Sequence, residues 1–226
     1  MSRPLLITDC DEVLLHMVGP FGAWLDEAHQ IDFAMEQPDF ATALTRRADN
    51  SVVETEQIWP LLDRFFTTEM HRQTLVPHAR QALATIAELA DIVILTNLTD
   101  AFHSGRVAQL EALDIRHAVQ CNQNGKGLPV ADIVARYQPS VTVFVDDLEQ
   151  HHASVAEHAP QVWRLHMVAE PRVAVHRPKA AHAHARTLLS ARAVCPRRLS
   201  AANHRLRPPL RRRLGTASTR AEIHPS

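Results

Sequence analysis

Three apolar stretches of this 226-residue sequence each end in acidic, hydroxyl or amide side chains. Short apolar runs of this kind are typical of buried parallel strands, whose carboxyl ends meet at the sheet edge where ligands bind. Carboxylates gathered at such an edge are costly unless a positive charge lies among them. The pattern therefore predicts a divalent metal ion at this edge. The residues concerned are Asp9 and Asp11, Thr96 and Asn97, and Asp146 and Asp147.

The elements that must position these side chains alternate between strand and helix in the second half of the chain. Apolar runs predict a first strand near the N-terminus and four more further on, and amphipathic segments that predict helices separate those four. Such alternation is typical of the α/β class with a doubly wound parallel sheet. The four later strands are predicted at 91–97, 117–122, 141–147 and 161–167, and the helices at 102–112, 128–138 and 151–159.

Helical periodicity dominates the long interval between the first and second strands. We therefore predict a small α-helical cap, residues 16–85, inserted into an α/β core formed by residues 1–15 and 86–170. Helical spacing favours the core of this cap, rather than a substrate pocket, for most of its aromatic residues, which include Trp24, Phe33, Trp59, Phe65 and Phe66. The predicted cap helices lie at 21–31, 38–48, 54–72 and 76–90.

Charge divides the chain into two unlike parts. Residues 1–170 hold 11 basic and 24 acidic residues, a net charge of −13, whereas residues 171–226 hold 13 basic residues and one acidic residue, a net charge of +12. The second part has no aromatic residue, so it can bury little apolar surface, and we predict a basic, mostly disordered tail. A basic segment can bind nucleic acid, but without aromatic side chains for base stacking we expect no nucleic-acid partner.

The remaining composition excludes several classes of protein. No apolar run approaches the length needed to cross a bilayer, and the N-terminus lacks the pattern of a signal peptide, so we expect a cytoplasmic location and no membrane partner. The three cysteines are scattered, so neither a disulfide framework nor a cysteine zinc site is predicted. Serine-hydrolase and P-loop signatures are absent from the sequence. The oligomeric state stays open.

Four motifs follow one another in a characteristic order: DCDEVL at 9–14, ILTN at 94–97, a lysine in NGKGLP at 124–129, and VFVDD at 143–147. In this order the chain resembles the haloacid dehalogenase superfamily over about residues 3–168, including a cap between the first two motifs. The resemblance implies a Rossmann-like fold and a Mg2+-dependent phosphatase that acts on a small phosphorylated substrate.

The resemblance also implies a role for each residue of the first two motifs. Asp9 would be the nucleophile that forms an aspartyl-phosphate intermediate and would ligate the metal. Asp11 would be the general acid and then the general base, and would offer its backbone carbonyl to the metal. Thr96 and Asn97, with nearby backbone N–H groups, would bind the phosphoryl oxygens.

The last two motifs would supply charge. Lys126 would bind the phosphate and orient the nucleophile, Asp147 would ligate the metal, and Asp146 would act in a second shell or through water. The chain has two lysines against 22 arginines, and the only lysine before the tail is Lys126. An ammonium is a compact point charge that fits between a carboxylate and a phosphoryl oxygen. A solvated surface lysine is the alternative.

Two positions depart from the superfamily pattern: Glu12, where many relatives have glycine, and His151, where relatives often have Asp or Asn. The histidine pairs His151–His152 and His182/His184 are expected to lie on the surface rather than to bind metal. Two other functions stay open. Carbon–halogen hydrolysis needs the nucleophile but not the acid or the acidic doublet, which argue against it. A non-catalytic binding protein would use the basic tail.

Overall fold

The computed structural model describes residues 2–37, 42–173 and 177–185. In chain order the elements are β1 Leu5–Thr8, α1 Val18–His29, β2 Ile31–Phe33, β3 Leu44–Arg46, α2 Thr55–Thr68, α3 Ala79–Ala87, β4 Asp91–Thr96, α4 His103–Ala112, β5 Ala118–Cys121, α5 Gly127–Tyr137, β6 Thr142–Asp146, α6 Glu149–His158, β7 Trp163–Met167 and β8 Ala183–Ala185. Short 3-10 helices cover Met70–Arg72 and Asp100–Phe102.

A six-stranded parallel sheet in the order β5-β4-β1-β6-β7-β8 forms the core. Its central strand, β1, is buried throughout because helices cover both faces, which is why its sequence is a continuous apolar run. One face packs Leu5, Ile7 and Phe144 against α5 and α6, and the other packs Leu6 and Val143 against α3. The α/β class and the parallel sheet are therefore confirmed.

The strand register brings the predicted motifs to one edge. Thr8, the last residue of β1, pairs with Ile94 of β4 on one side and with Val145 of β6 on the other. Asp9, the residue after Thr8, therefore lies close to the ends of both neighbouring strands, Thr96 of β4 and Asp146 of β6. In a parallel sheet whose strands are joined by helices, ligands bind in the crevice beyond the carboxyl ends of the strands.

The segment between β1 and β4, which holds the predicted cap, contains two strands as well as helices. The predicted helix at 38–48 is wrong where the structure describes it, because β3 pairs antiparallel with β2 there; residues 38–41 lie outside the described residues. The strand buries Leu44 in the cap core, and Val53 donates its backbone N–H to the carbonyl of Leu44. Local propensity for a helix is thus overridden by burial of a pleated strand face.

Helices α1 and α2 enclose the cap core around aromatic side chains. Phe21 lies 5.4 Å from Phe65 between ring centroids in an edge-to-face arrangement, and Trp24 is buried beside them. Trp59 lies on the opposite side of α2 and is exposed. The prediction that most of these aromatic residues form the cap core agrees with the structure: Trp24 and Phe65 are buried, and Phe33 and Phe66 pack partly buried against them. Trp59 is the exception.

Strand β8 lies beyond the boundary at residue 170 that the sequence analysis predicts, so the folded part extends at least to Ala185. The Arg164 side chain donates to the carbonyl of Ala180 at 2.8 Å, and the His182 ring stacks on Trp163. These contacts from β7 hold a segment whose own composition is poor in apolar residues, which is why the sequence alone suggests a tail. The rest of the predicted tail, residues 186–226, lies outside the described residues.

Within the described ranges, the helices are too short or too polar to pass through a bilayer.

Candidate active site

The site is built around Asp9 and Lys126 at the carboxyl edge of the sheet. The Nζ of Lys126 donates to Asp9 Oδ1 at 2.8 Å and to Asp146 Oδ2 at 2.7 Å, and this lysine is fully buried. Asp9 Oδ1 also accepts the backbone N–H of Cys10 at 2.7 Å. The structure therefore brings the predicted nucleophile, the predicted lysine and the first acid of the doublet together.

Close packing of two helices fixes the position of this lysine. Helix α5 begins at Gly127, whose N–H donates to Ser154 Oγ of α6 at 3.0 Å. A Cβ atom at Gly127 would overlap the carbonyl oxygen of Ser154, so only glycine allows the start of α5 to approach α6 this closely. Lys126 is thereby directed into the site from the residue just before the helix.

The loop before Lys126 is held by the side chain of Asn97. The amide Nδ2 of Asn97 donates to the carbonyl of Asn124 at 2.9 Å, and Asn97 Oδ1 accepts from Asn122 Nδ2 at 3.1 Å. Asn124 has a φ of 72°, a left-handed conformation that asparagine tolerates better than most residues. Asn97 is predicted to bind phosphate, and in the structure its side chain also holds the loop before the lysine.

Three carboxyl groups lie around the single ammonium group of Lys126. Oxygen atoms of Asp9, Asp146 and Asp147 all lie within 4.8 Å of one another. Burial raises the pKa of Asp9 to about 7, against the opposing effect of Lys126 and with a further rise from Asp146. Burial and the charges of Asp146 and Asp9 raise the pKa of Asp147 as well. At Asp146 burial acts in the same direction, but the charge and hydrogen bond of Lys126, together with His151 and His152, lower its pKa. Asp9 and Asp147 therefore keep their protons to a higher pH than free carboxyl groups do, because one ammonium cannot balance three negative charges.

The donor set of this cluster fits a hard divalent cation. Mg2+ prefers carboxylate and carbonyl oxygens and is typically held by one or two carboxylates. With three carboxylates around one ammonium, an added dication would balance the charge that the protein leaves uncompensated. The residues present are thus suited to the metal that the sequence motifs imply.

Asp11 lies in a second, separate set of contacts. Its Oδ1 accepts from Arg106 Nη2 at 2.9 Å and from Gln73 Nε2 at 2.6 Å. Its Oδ2 accepts from Arg106 Nη2 at 3.0 Å and, more weakly, from Thr96 Oγ1 at 3.4 Å. Thr96, the predicted phosphate-binding hydroxyl, is thus next to the predicted general acid, at the end of β4.

Arg106 is the residue of this site that the sequence analysis missed. It is one of 22 arginines and lies in the middle of α4, away from every strand end. It is nevertheless fully buried, one helical turn before the buried Leu110. An arginine on the apolar face of an amphipathic helix is the signal that could have identified it, because a buried guanidinium requires a partner.

Glu12, the first departure from the superfamily pattern, occupies a position where the backbone favours glycine, with a φ of 57°. Its buried carboxylate accepts the backbone N–H groups of Met17 and Val18, at 2.8 and 2.7 Å, at the N-terminus of α1, and that of Glu170 at 2.8 Å. Burial raises the pKa of Glu12, and these three bonds oppose the rise. The hydrogen bonds offset the backbone strain and anchor the entry to the cap.

His151, the second departure, is buried rather than on the surface. Its Nε2 accepts from Asn97 Nδ2 at 3.3 Å, and burial lowers its pKa to about 4, so the ring is neutral at pH 7. The neighbouring His152 is buried too, and its Nε2–H donates to the backbone carbonyl of Asp146 at 3.0 Å. His166 on β7 donates in the same way to the carbonyl of Asp147 at 3.1 Å. These histidines position the acidic doublet.

Sequence comparison and structural comparison give different results. The sequence matches no protein-family model. It also matches no curated protein. By structure, the chain superposes on a candidate phosphatase from Clostridium difficile with a TM-score of 0.60 at 7% sequence identity, over 86% of this chain and 99% of that one.

Two further solved structures give the same result. A candidate phosphoglycolate phosphatase from Lactobacillus plantarum has a TM-score of 0.59 at 11% identity, over 84% of this chain and 98% of its own. A haloacid dehalogenase-like hydrolase from Streptococcus pneumoniae has a TM-score of 0.58 at 12% identity, over 85% of this chain and 98% of its own. The chain therefore has the fold of the haloacid dehalogenase-like hydrolases and phosphatases, which confirms the resemblance in the motifs at the level of the fold.

Proposed function

We propose that this chain is a Mg2+-dependent phosphomonoester hydrolase that acts through an aspartyl-phosphate intermediate. The observation that carries the proposal is the buried ammonium of Lys126, which bonds to both Asp9 and Asp146 where three carboxylates meet. A phosphate monoester is doubly anionic, so a carboxylate can approach it only where positive charge is concentrated. A lysine held between two carboxylates provides a fixed part of that charge.

The metal would be held by Asp9 and Asp147, by the backbone carbonyl of Asp11, and by Asp146 directly or through water. When bound, Mg2+ supplies charge neutralisation for the phosphoryl group and the attacking carboxylate. The remaining chemistry belongs to the side chains. The buried ammonium of Lys126 orients Asp9, and Thr96 at the end of β4 offers a hydroxyl to the phosphoryl oxygens.

The reaction would proceed in two steps. A carboxylate oxygen of Asp9 attacks phosphorus, the bond from phosphorus to the leaving oxygen breaks, and the carboxyl group of Asp11 gives its proton to that oxygen. Water then attacks the phosphorus of the aspartyl-phosphate, its proton passes to Asp11, and the bond from phosphorus to Asp9 breaks. Inorganic phosphate leaves and both aspartates return to their initial states.

The substrate class is a small phosphorylated metabolite or nucleotide. Similar structures include proteins described as a phosphoglycolate phosphatase from Lactobacillus plantarum and a β-phosphoglucomutase from Thermotoga maritima, both at low identity. Both names refer to small phosphate esters, which a capped site at a sheet edge can enclose. A screen of phosphorylated metabolites with Mg2+ present would identify the preferred ester.

The decisive experiment compares Asp9→Asn with the wild-type protein on p-nitrophenyl phosphate in the presence of Mg2+. We expect release of nitrophenol to fall by roughly 1,000-fold or more, because the amide cannot act as the nucleophile. Asp32→Asn is the matched control, since Asp32 lies in an exposed ion pair with Arg47 in the cap. Turnover by Asp9→Asn at the wild-type rate would overturn the nucleophile assignment.

Carbon–halogen hydrolysis is the alternative within the same fold. It would release halide from a 2-haloacid and would continue in excess EDTA, because it needs no phosphate-binding cation. Asp147→Asn separates the two functions, since it removes a proposed metal ligand and leaves Asp9 in place. Halide release that persists in this variant and in EDTA would favour the dehalogenase.

A further inference from the structure

The guanidinium of Arg106 is buried without contributing to the carboxylate cluster around Lys126. It lies on α4 and binds both oxygens of Asp11 through one nitrogen, Nη2. Its other terminal nitrogen, Nη1, donates to Gln73 Oε1 at 3.2 Å and to Gln109 Oε1 at 3.0 Å. One cation therefore joins the carboxylate of the first motif to two glutamine side chains.

The glutamines connect this cation to the segment that leaves the cap. Gln73 directly follows the 3-10 helix Met70–Arg72, and Gln109 Nε2 donates to the backbone carbonyl of Met70 at 2.7 Å. Gln73 also reaches Asp11 directly, at 2.6 Å. The position of Asp11 is thus defined by side chains from α4 and from the end of the cap, in addition to its own strand.

A purely stabilising role accounts poorly for this arrangement. A buried ion pair seldom contributes more to stability than apolar side chains of similar volume. Arg106 Nε is also buried and meets no hydrogen-bond partner among the described residues, which adds a desolvation cost. The guanidinium also lies 5.7 Å from the centroid of the Phe66 ring, but Met or Leu would pack against that ring without the desolvation cost, so the guanidinium is better explained by what it does to Asp11.

The two oxygens of Asp11 are held unequally. Arg106 Nη2 donates to both oxygens at nearly equal distances, 2.9 Å to Oδ1 and 3.0 Å to Oδ2, whereas the second donor is Gln73 at 2.6 Å for Oδ1 and Thr96 at 3.4 Å for Oδ2. Arg106 therefore holds the whole carboxyl group, and Gln73 holds Oδ1 more tightly than Oδ2. Oδ2 lies beside the Thr96 hydroxyl that is proposed to bind the phosphoryl group.

We propose that Arg106 is a positioning residue for the acid–base step: it holds the carboxyl group of Asp11 while Gln73 fixes Oδ1, so that Oδ2, beside Thr96, faces the leaving oxygen. This inference rests on the proposed function. Arg106 neither gives nor takes a proton; the proton moves only between Asp11 and the leaving oxygen or the attacking water.

Substrates whose leaving groups differ in acidity can distinguish a positioning role of Arg106 from a purely structural one. Dinitrophenolate departs without a proton, whereas phenolate needs one, so only phenyl phosphate depends on correct placement of Asp11 in the first step. The ratio kcat/KM reports the steps up to departure of the leaving group, and it excludes the later hydrolysis that also uses Asp11.

The experiment measures kcat/KM for phenyl phosphate and dinitrophenyl phosphate, with Mg2+, in the full-length chain. We expect Arg106→Met to lower the value for phenyl phosphate roughly 100-fold more than the value for dinitrophenyl phosphate. Arg106→Lys should restore part of the difference. Arg80→Met is the matched control, because Arg80 forms an exposed ion pair with Asp114 and should leave the ratio between the two esters unchanged.

Two further variants keep the test decisive if Arg106→Met does not fold. Gln73→Met removes the 2.6 Å bond to Asp11 and leaves the guanidinium, so a smaller selective loss on phenyl phosphate is expected. In an Asp11→Asn background, Arg106→Lys should cause no additional selective loss, because the group that it positions is already disabled.

Equal losses on the two esters, in the arginine and glutamine variants alike, would overturn the positioning role and leave a structural one. A wild-type chain that hydrolyses neither ester, or an Asp9→Asn variant that hydrolyses both normally, would instead overturn the proposed function and this inference with it. A selective loss that Arg106→Lys partly reverses would support the proposal.

Discussion

The two buried cations of the site, Lys126 and Arg106, differ in how completely their partners balance them. Lys126 is shared by Asp9 and Asp146, with Asp147 close by, so one cation serves three carboxyl groups. Arg106 faces a single carboxylate, that of Asp11, together with neutral amides. The three carboxyl groups around Lys126 therefore need a further cation to balance their charge. The charges of Arg106 and Asp11 already balance each other.

This difference also explains why each cation has its own residue type. An ammonium can bond to carboxylates that arrive from separate strands, because its donors rotate about a single point. A guanidinium offers donors in a fixed plane, which suits a carboxylate and two glutamines that must keep one orientation. We therefore expect the metal and the phosphate to bind at the Lys126 cluster, and we expect Arg106 to set the orientation of the Asp11 carboxyl group.

Removing the lysine is expected to have the largest effect. Lys126→Met leaves the buried carboxylates without their cation, so we expect loss of phosphatase activity and destabilisation by about 3–5 kcal/mol, measured by urea unfolding without metal. Lys126→Arg should not restore activity, because a planar guanidinium does not fit between Asp9 and Asp146. Mg2+ should recover more stability in Lys126→Met than in Arg106→Met, whose carboxylate is not part of the cluster. Equal recovery would contradict the contrast between the clusters.

Metal binding is expected to depend on pH through Asp9. Its pKa of about 7 in the folded chain exceeds the unfolded value of 3.8, so between these values the folded state holds a proton that the unfolded state has lost. The unfolding free energy of the metal-free protein should therefore fall as pH rises from about 4 to about 7, and Mg2+ affinity should rise over the same range.

The measurement is the shift in melting temperature caused by Mg2+ at pH 5, 6, 7 and 8. A stabilisation that grows from pH 5 to pH 7 is the expected result, with about 2.7 kcal/mol gained at a concentration of 100 times Kd. Asp147→Asn should reduce the shift at each pH, and Asp32→Asn should not. A pH-independent shift would show that Asp9 does not release a proton when the metal binds.

Alanine at Gly127 is expected to cost more stability and activity than alanine at most helical glycines, because α5 approaches α6 closely at this residue. Gly127→Ala would push the start of α5 away from Ser154, so we expect several-fold lower activity together with a lower melting temperature. Gly105→Ala in α4 is the matched control, because its nearest neighbour would be Met70 Sδ at 3.9 Å and alanine should stabilise the helix by about 0.5–1 kcal/mol. Normal activity in Gly127→Ala would show that the position of Lys126 does not depend on this contact.

Shortening the C-terminus is expected to have the smallest effect on catalysis. The proposed catalytic residues all precede residue 148, so chains ending at 170 and at 185 should both keep kcat within a few-fold. Only the shorter chain loses β8 and the contacts of Arg164 and Trp163 with residues 180–182, so it should melt at a lower temperature. Identical melting temperatures would show that β8 adds no stability.

The strand ends could be predicted from the sequence because an apolar run that stops at an acidic residue has few alternatives in an α/β protein. Lys126 could be identified because lysine is rare in this chain. Arg106 could not, since its environment depends on how α4 packs against Gln73, which is distant in sequence and follows the cap. Strand β3 was missed because its apolar residues also fit a helical period, and β8 because its stability comes from β7 rather than from its own side chains.

The hydrogen-bond partners of Glu12 are synthesised at very different times. Its bonds to the entry of α1 can form once residue 18 is free, but its bond to Glu170 joins positions 158 residues apart. At typical elongation rates, the later partner emerges roughly 10 to 30 s after the first two. During that interval Oε2 of Glu12, which later accepts the N–H of Glu170, is expected to stay in contact with water. A nascent chain is therefore expected to form the cap entry early and to close it against the end of β7 only when translation of the core is nearly complete.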